Sequence, residues 1–299
     1  ARLRTFLDYR AELARLLQAE WIGVIESIRA QKPDLDFVLT HVDDRFDNRM
    51  RDLIGADAGR VLPMLDQYDF TFLVEDPATI WNLGPQRYPE IAKRYQPLTK
   101  HSDKLAIDIN IVERYQDVYP TKLQTGSELF QLVHLAAQSF PQVALYFENS
   151  ILAPDLPLLA SAASSVTKVE QENKRLVIDS RFGTGVPWDG PATVNGKLWP
   201  VRDAKTLWLP AGPQIIEPAA KDAPAHIVDF NGNLKTAKVH GSAVEFSYQS
   251  NARASATLDF NPSRIEIDGA TATPKLISAG SNFVVQLPRG QHLVLLESR

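Results

Sequence analysis

The chain has 299 residues and a mass of 33.3 kDa, which is long enough to predict two domains. A formal net charge of −4 and a pI near 5.9 argue against a nucleic-acid surface, and no run of 18 apolar residues predicts a membrane span. The absence of cysteine excludes disulfides, thiolate nucleophiles and cysteine-ligated metals. It also favours a periplasmic or extracellular location.

The composition changes near residue 165, where we predict a domain boundary. Residues 1–165 hold 23 Asp and Glu against 17 Lys and Arg, whereas the remaining residues hold 13 against 15. Glycine divides five to ten in the same order, so turns concentrate in the second half. The sequence begins directly in a helical pattern, without Met, signal peptide or N-cap. We therefore expect a mature or truncated product of a longer polypeptide.

Helices and strands alternate in the first half. Apolar residues at helical spacing predict a helix over residues 4–31, ended by Lys32-Pro33. Four short apolar runs predict strands, and polar-apolar periodicity between and after them predicts further helices. The strands are 37–40, 70–74, 105–111 and 143–147, and the helices are 47–66, 86–96, 126–139 and 154–163. Nearly continuous apolar strands separated by helices are typical of a parallel sheet.

The second half, residues 166–299, has short strands at intervals of about ten residues, which predicts a β-sandwich or two small β units. Asn195-Gly196, Asn231-Gly232 and Asp268-Gly269 predict hairpin turns. The predicted strands are 174–179, 192–195, 206–209, 226–229, 243–248, 253–258, 264–268, 283–287 and 292–297.

Each strand of the first half is followed by carboxylates. Because parallel strands bring their carboxyl ends to one edge, these residues would converge on a single cleft. The candidate catalytic residues are Asp43, Glu75, Asp108, Glu113 and Glu148. Helix capping by acidic residues is the alternative explanation for each of them.

Aromatic residues flank the same edge. Carboxylates for proton transfer and nucleophilic attack, together with aromatic faces that stack on sugar rings, are what glycoside chemistry requires. The candidate substrate-binding residues are His41, Asp44, Trp81, Tyr88, Asn110, Tyr115 and Asn149. For the tyrosines, Tyr119 and Tyr146 included, packing is the alternative. In the second half, Trp188 is the best candidate for an exposed sugar platform.

The strand ends resemble the last four β/α units of a glycoside-hydrolase-type TIM barrel with an appended β-sandwich domain. The resemblance rests on Leu39-Thr40-His41-Val42-Asp43-Asp44, Phe72-Leu73-Val74-Glu75-Asp76, Ile107-Asp108-Ile109-Asn110 and Leu145-Tyr146-Phe147-Glu148-Asn149. It implies that Asp108 or Glu113 lies at the seventh strand, where many such enzymes keep a nucleophile or stabilising acid. The general acid that is usual on the fourth strand has no counterpart in this chain.

The number of strands predicts a partial barrel. A closed barrel takes about 250 residues, whereas about 165 precede the predicted sandwich and supply four strands. Either the amino-terminal half of the barrel lies on a polypeptide piece that is removed or separate, or the four units form an open layer that a partner completes. The expected partners are thus a carbohydrate and a second polypeptide that supplies the rest of the barrel, with no nucleic acid.

Other chemistries lack their motifs in this sequence. It contains no P-loop, no Gly-x-Gly-x-x-Gly after a strand, no His-Glu-x-x-His and no Gly-x-Ser-x-Gly, so we expect no cofactor and no metal. A hard cation held by Asp43, Glu75 and Asp108 is a minor alternative, since no catalytic Lys or His follows a matching strand. Two functions remain open: a polysaccharide-cleaving glycoside hydrolase, and a non-catalytic carbohydrate-binding or assembly module.

Overall fold

The computed structural model describes residues 2–111, 124–146, 148–250 and 253–298, with the side chains of residues 148, 160 and 161 left out. The chain has a mixed α/β architecture with several sheets. It divides into two units, Ala1–Ala163 and Ser164–Arg299, and each of them has its own hydrophobic core.

The first unit is built on a four-stranded parallel sheet, which confirms the sheet that the sequence predicts. Its strands are β1 (Val38–Val42), β2 (Thr71–Glu75), β3 (Leu105–Asn110) and β4 (Gln142–Tyr146), in the spatial order β1-β2-β3-β4. Chain order and spatial order coincide because each connection returns over the sheet to the next position. All four carboxyl ends therefore lie at one edge.

Six α-helices occur in the described part of the first unit. They are α1 (Arg2–Arg29), α2 (Arg49–Ile54), α3 (Ala58–Val61), α4 (Arg87–Tyr95), α5 (Gly126–Ser139) and α6 (Leu159–Ala162). The single helix predicted over 47–66 is wrong: Gly55 adopts a left-handed conformation with φ of 77° and ends α2, and α3 continues as a 3₁₀ turn over Leu62–Asp66. None of the helices in the described ranges is long and apolar enough to cross a membrane.

The two faces of the sheet differ in chemistry. One face carries Phe72, Val74, Ile107 and Ile109, which are fully buried in a core shared with α3, α4 and α5. Side chains alternate along a strand, so the residues between them point to the opposite face. Paired positions on that second face form a row across the sheet: Val42, Glu75, Asp108 and Ala144.

The second unit consists of sixteen described strands in four sheets, all with antiparallel pairing between neighbours. The strands are β5 (Val166–Glu172), β6 (Arg175–Ser180), β7 (Thr184–Pro187), β8 (Ala192–Val194), β9 (Lys197–Leu198), β10 (Thr206–Leu209), β11 (Gly212–Pro218), β12 (Ile227–Phe230), β13 (Asn233–His240), β14 (Ala243–Ser250), β15 (Ala254–Leu258), β16 (Arg264–Ile267), β17 (Ala270–Ala272), β18 (Leu276–Ala279), β19 (Asn282–Leu287) and β20 (Gly290–Glu297). The spatial orders are β5-β6-β11-β8-β9, β10-β7, β12-β15-β19-β18 and β13-β14-β20-β16-β17. One cluster of buried residues draws on all four sheets.

Two of the three predicted hairpin turns are confirmed. Asn195-Gly196 joins β8 to β9 and Asp268-Gly269 joins β16 to β17, and both residues of each turn have positive φ, as a type I′ turn requires. The hairpin predicted at Asn231-Gly232 is wrong, because β12 and β13 belong to different sheets. The Asn231 side chain instead accepts a hydrogen bond from the backbone of Ser255 at 2.7 Å, and so fastens this crossing to β15.

Gly185 lies so close to the Trp208 ring that a larger residue at this position should lower the stability of the second unit. Gly185 pairs with Trp208, and a Cβ on Gly185 would lie 2.6 Å from the indole Cζ3. The Trp208 ring donates a hydrogen bond to the Val228 carbonyl at 3.1 Å, which restricts its movement. We expect Gly185→Ala to lower the free energy of unfolding by about 1–3 kcal/mol, measured by urea unfolding. In the control Gly23→Ala, the added methyl meets nothing within 4 Å on α1. An unchanged midpoint for Gly185→Ala would contradict the packing.

Candidate functional site

Two carboxyl groups meet side by side at the carboxyl edge of the parallel sheet. Glu75 ends β2 and is the register partner of Asp108 on β3, so both side chains lie on the second face. Asp108 is only 6% exposed, while Glu75 is half-buried. Burial, then the negative charges of Glu75 and Asp76, raise the pKa of Asp108 to about 7. Burial and the charge of Asp76 also raise the pKa of Glu75.

The different burial of Asp108 and Glu75 suits the two carboxyl groups to different chemical roles. Burial and the neighbouring negative charges disfavour ionisation of Asp108, so it keeps its proton below a pH of about 7. The more buried Asp108 is the better proton donor, and Glu75 is the better anion. A protonated and an ionised carboxyl group within one site can supply general acid catalysis together with nucleophilic or general base catalysis.

Asp76 follows the pair, and buried partners hold its carboxylate in place. Arg87, at the start of α4, forms an ion pair with its carboxylate, and both side chains are buried. Trp81 donates its indole N–H toward the Asp76 carbonyl at 3.0 Å and Oδ1 at 3.1 Å, and Asn110 donates to Oδ1 at 3.4 Å. The negative charge of Asp76 contributes to the raised pKa of Asp108.

Asp43, a predicted catalytic residue, supports the loop after β1. Its Oδ1 accepts the backbone N–H groups of Arg45 at 3.2 Å and Phe46 at 3.1 Å, and its Oδ2 accepts that of Asp47 at 2.7 Å. Three backbone donors occupy a fully buried carboxylate. The structure thus favours capping over catalysis for Asp43, because acceptance of successive N–H groups is how an aspartate stabilises a turn.

His41 and Asp44, predicted to bind substrate, belong to a buried cluster on the core side of the sheet. His41 Nε2 lies 3.2 Å from Asp44 Oδ1, and its ring packs 4.8 Å from that of Phe72. The Tyr95 hydroxyl donates to Asp44 Oδ1 at 3.2 Å and accepts the Asp44 backbone N–H at 3.0 Å. His41 and Asp44 are 4% and 2% exposed and fix β1 to α4, and substrate binding by either residue stays a prediction.

The aromatic platforms predicted from the sequence divide into buried and accessible residues. Tyr88 is fully buried, with the Arg87 guanidinium 4.4 Å above its ring, so its ring offers no exposed face for stacking on a sugar in this structure. Trp81 is half-buried beside Asp76. Tyr146 is 46% exposed and is the register partner of Asn110, which places it on the same face as Asp108. The sequence predicts Tyr146 only as an aromatic residue that flanks this edge. Side chains alternate between faces along a strand, so counting from Ala144 would have placed Tyr146 on the same face as Asp108.

The remaining candidate residues lie at the periphery or outside the described part of the chain. Asn110 is buried against Asp76, and Asn149 is exposed in the 3₁₀ turn after β4. Glu113, Tyr115 and Tyr119 lie outside the described residues, as does the side chain of Glu148.

A second cluster of charged groups lies in the second unit and was not foreseen. His226 binds Asp259 through Nδ1 at 2.7 Å and Asp222 through Nε2 at 2.9 Å, and these contacts raise the pKa of the imidazole. Arg202 also contacts Asp222, at 3.1 Å. The group lines an open pocket of about 350 Å³. Trp188, predicted as an exposed platform, is half-buried against the core instead.

Comparison with known proteins adds no further assignment. No protein-family model matches the chain, and no curated protein matches it. The geometry of the site therefore carries the functional argument.

The burial of Asp108 predicts a pH-dependent effect on stability. The pKa of an unfolded aspartate is about 3.9, so between that pH and about 7 the unfolded chain is ionised while native Asp108 keeps its proton. Stability is consequently lost as the pH rises through this interval. We expect Asp108→Asn to gain stability relative to the wild type from pH 4 to pH 7, measured by urea unfolding. The control Asp76→Asn breaks a buried ion pair and is expected to destabilise. A pH-independent difference for Asp108→Asn would contradict the raised pKa.

Proposed function

We propose that this chain is a carbohydrate-active protein that cleaves glycosidic bonds, with Glu75 and Asp108 as the catalytic carboxyl pair. One observation carries the proposal: a carboxyl group with a pKa of about 7 lies beside a second carboxyl group on a face of the sheet that is not the hydrophobic core. The three other acidic residues at this edge whose side chains are described, Asp43, Asp44 and Asp76, are committed to internal contacts.

In the proposed reaction Asp108 is the acid and Glu75 the base or nucleophile. Protonated Asp108 donates its proton to the glycosidic oxygen as the bond to the anomeric carbon breaks. Glu75 then either forms the bond to that carbon or takes a proton from the attacking water, and water supplies the new hydroxyl group. Neighbouring strands lie about 4.8 Å apart, which is nearer to the carboxyl separation of about 5–5.5 Å in retaining enzymes than to the larger one in inverting enzymes.

Several features support a sugar as the ligand. Tyr146 presents an exposed ring on the same face as the pair, and Asn149 offers an exposed amide in the turn that follows. Trp81 lies in the loop after β2, with part of its surface accessible. An aromatic face with neighbouring polar groups suits a saccharide ring, which has apolar faces and a polar rim. We propose a polysaccharide encountered in the periplasm or outside the cell, in keeping with the cysteine-free composition.

The finer architecture is part of the proposal. We propose that the parallel sheet is half of a (β/α) barrel whose inner face holds Glu75 and Asp108, and that the second unit is a β-sandwich. In the described residues β1 and β4 each pair on one side only, and a second polypeptide that pairs with both edges would close the barrel. In this arrangement Asp108 takes the role of the fourth-strand general acid that the chain lacks.

Conservative amide substitutions test the assignment. We expect Asp108→Asn and Glu75→Gln each to lower kcat/KM by about 10²- to 10⁴-fold, because each removes one partner in proton transfer or attack. The measurement is the release of reducing ends from a panel of soluble polysaccharides. Activity of the wild type should fall above pH 7, where Asp108 loses its proton. Glu90→Gln, which changes an exposed carboxylate on α4, is the matched control and should keep full activity.

Two results would contradict the proposal. Full activity in both amide variants would place the chemistry elsewhere. Binding of polysaccharide by the wild type without release of reducing ends, in the presence of any barrel-completing polypeptide that copurifies, would identify a non-catalytic binding or assembly module instead.

A further inference from the structure

Helix α1 has an apolar face that is largely exposed to solvent in the described chain. Nine of its large apolar side chains are between 41% and 70% exposed: Leu3, Phe6, Tyr9, Leu13, Leu16, Leu17, Trp21, Val24 and Ile28. The residues that anchor the helix to its own unit, Ala11 and Ile22, are buried. Ile22 follows Leu13 by nine residues, or two and a half helical turns, so the exposed and anchored faces are opposite.

The exposed face has the size of a protein interface. Single exposed apolar residues are common on protein surfaces, but large contiguous apolar patches mark interaction sites. At roughly 100 Å² each for half-exposed side chains, nine of them offer on the order of 900 Å², about what one partner contributes to a standard interface. The helix is 28 residues long, and the face runs along nearly all of it.

Six of the nine exposed apolar side chains are placed symmetrically about position 15 of the helix. Phe6, Tyr9 and Leu13 stand nine, six and two residues before position 15, and Leu17, Trp21 and Val24 stand two, six and nine residues after it. In an antiparallel pair of identical helices centred on this position, these six apolar side chains therefore meet one another, whereas Leu3, Leu16 and Ile28 lie opposite the partner's Ser27, Ala14 and Arg2. Phe6 would face the partner's Val24, Tyr9 the partner's Trp21, and Leu13 the partner's Leu17.

The charges of α1 favour the same arrangement. Residues 2–15 hold four arginines, Arg2, Arg4, Arg10 and Arg15, against Asp8 and Glu12, whereas residues 16–29 hold Glu20 and Glu26 against Arg29. A parallel pair would oppose basic ends to each other, and an antiparallel pair opposes the basic end to the acidic one. Antiparallel helices also oppose their macrodipoles favourably.

We propose that α1 is a homodimerisation helix: a second copy of this chain packs on the exposed face in an antiparallel pair with its twofold axis near position 15. A twofold interface of this kind is isologous, so one apolar face satisfies both copies. All residues of this interface lie on α1, and none belongs to the carboxyl pair or to a strand of the parallel sheet.

The native mass of the purified chain tests this inference. Light scattering after gel filtration should give twice the chain mass of 33.3 kDa for the wild type. Leu13→Glu with Leu17→Glu should give a single chain mass, with the far-UV circular dichroism retained. Val169→Glu is the matched control, since Val169 is 60% exposed on β5 and should leave the dimer unchanged. A monomeric wild type, or a dimer that persists in the double variant, would overturn the proposal.

Directed cross-linking tests the orientation without a destabilising charge. The chain contains no cysteine, so introduced thiols act without background. A mixture of Phe6→Cys and Val24→Cys chains should form disulfide-linked dimers on oxidation, and either variant alone should not. The two positions are 18 residues apart, about 27 Å along a helix, so a like pair cannot meet in the antiparallel dimer. Cross-linking of Phe6→Cys alone would indicate a parallel pair and contradict the proposal.

Discussion

The burial of Asp108 beside a second carboxyl group on the adjacent strand is the constraint on which the chemistry of this site depends. Parallel pairing sets Glu75 opposite Asp108, and burial removes the water that would otherwise screen the two charges. The Arg87–Asp76 ion pair fixes a further negative charge beside them and anchors the start of α4 to the end of β2. The cost of holding Asp108 in this environment is offset by the apolar core on the other face of the sheet, where Phe72 and Ile107 are fully buried.

Much of the secondary structure could be predicted because its signals are local. The four parallel strands are apolar runs of five or six residues, and the nine strands predicted in the second half all correspond to observed strands. The missed strands include β5 and β13, whose charged, exposed side chains resemble those of loops. Gly55 broke a predicted helix because a positive φ follows from local turn geometry that hydrophobic periodicity does not report. The sheet that a strand joins is decided by partners far away in the sequence. The residues around Asn231-Gly232 therefore do not reveal that β12 and β13 belong to different sheets.

The candidate site was predictable in position but not in the division of roles. The repetition of acidic residues after successive strands located Glu75, Asp76 and Asp108 at one edge. The separate duties of these residues depend on partners distant in sequence, such as Arg87 for Asp76 and Tyr95 for Asp44. The burial of Tyr88 likewise depends on packing beneath α4. Strand register, rather than composition, distinguishes the catalytic candidates from acidic residues that support loops.

A direct titration of Asp108 tests the central claim most closely. The side-chain carboxyl carbons of aspartate can be followed by NMR in protein labelled with ¹³C at that position, and Asp108→Asn identifies the resonance. The account predicts a pKa of about 7 for Asp108, and a lower pKa in Glu75→Gln, where the neighbouring negative charge is absent. An Asp108 resonance that titrates near the ordinary aspartate pKa of about 4, or that ignores the Glu75 substitution, would contradict the account.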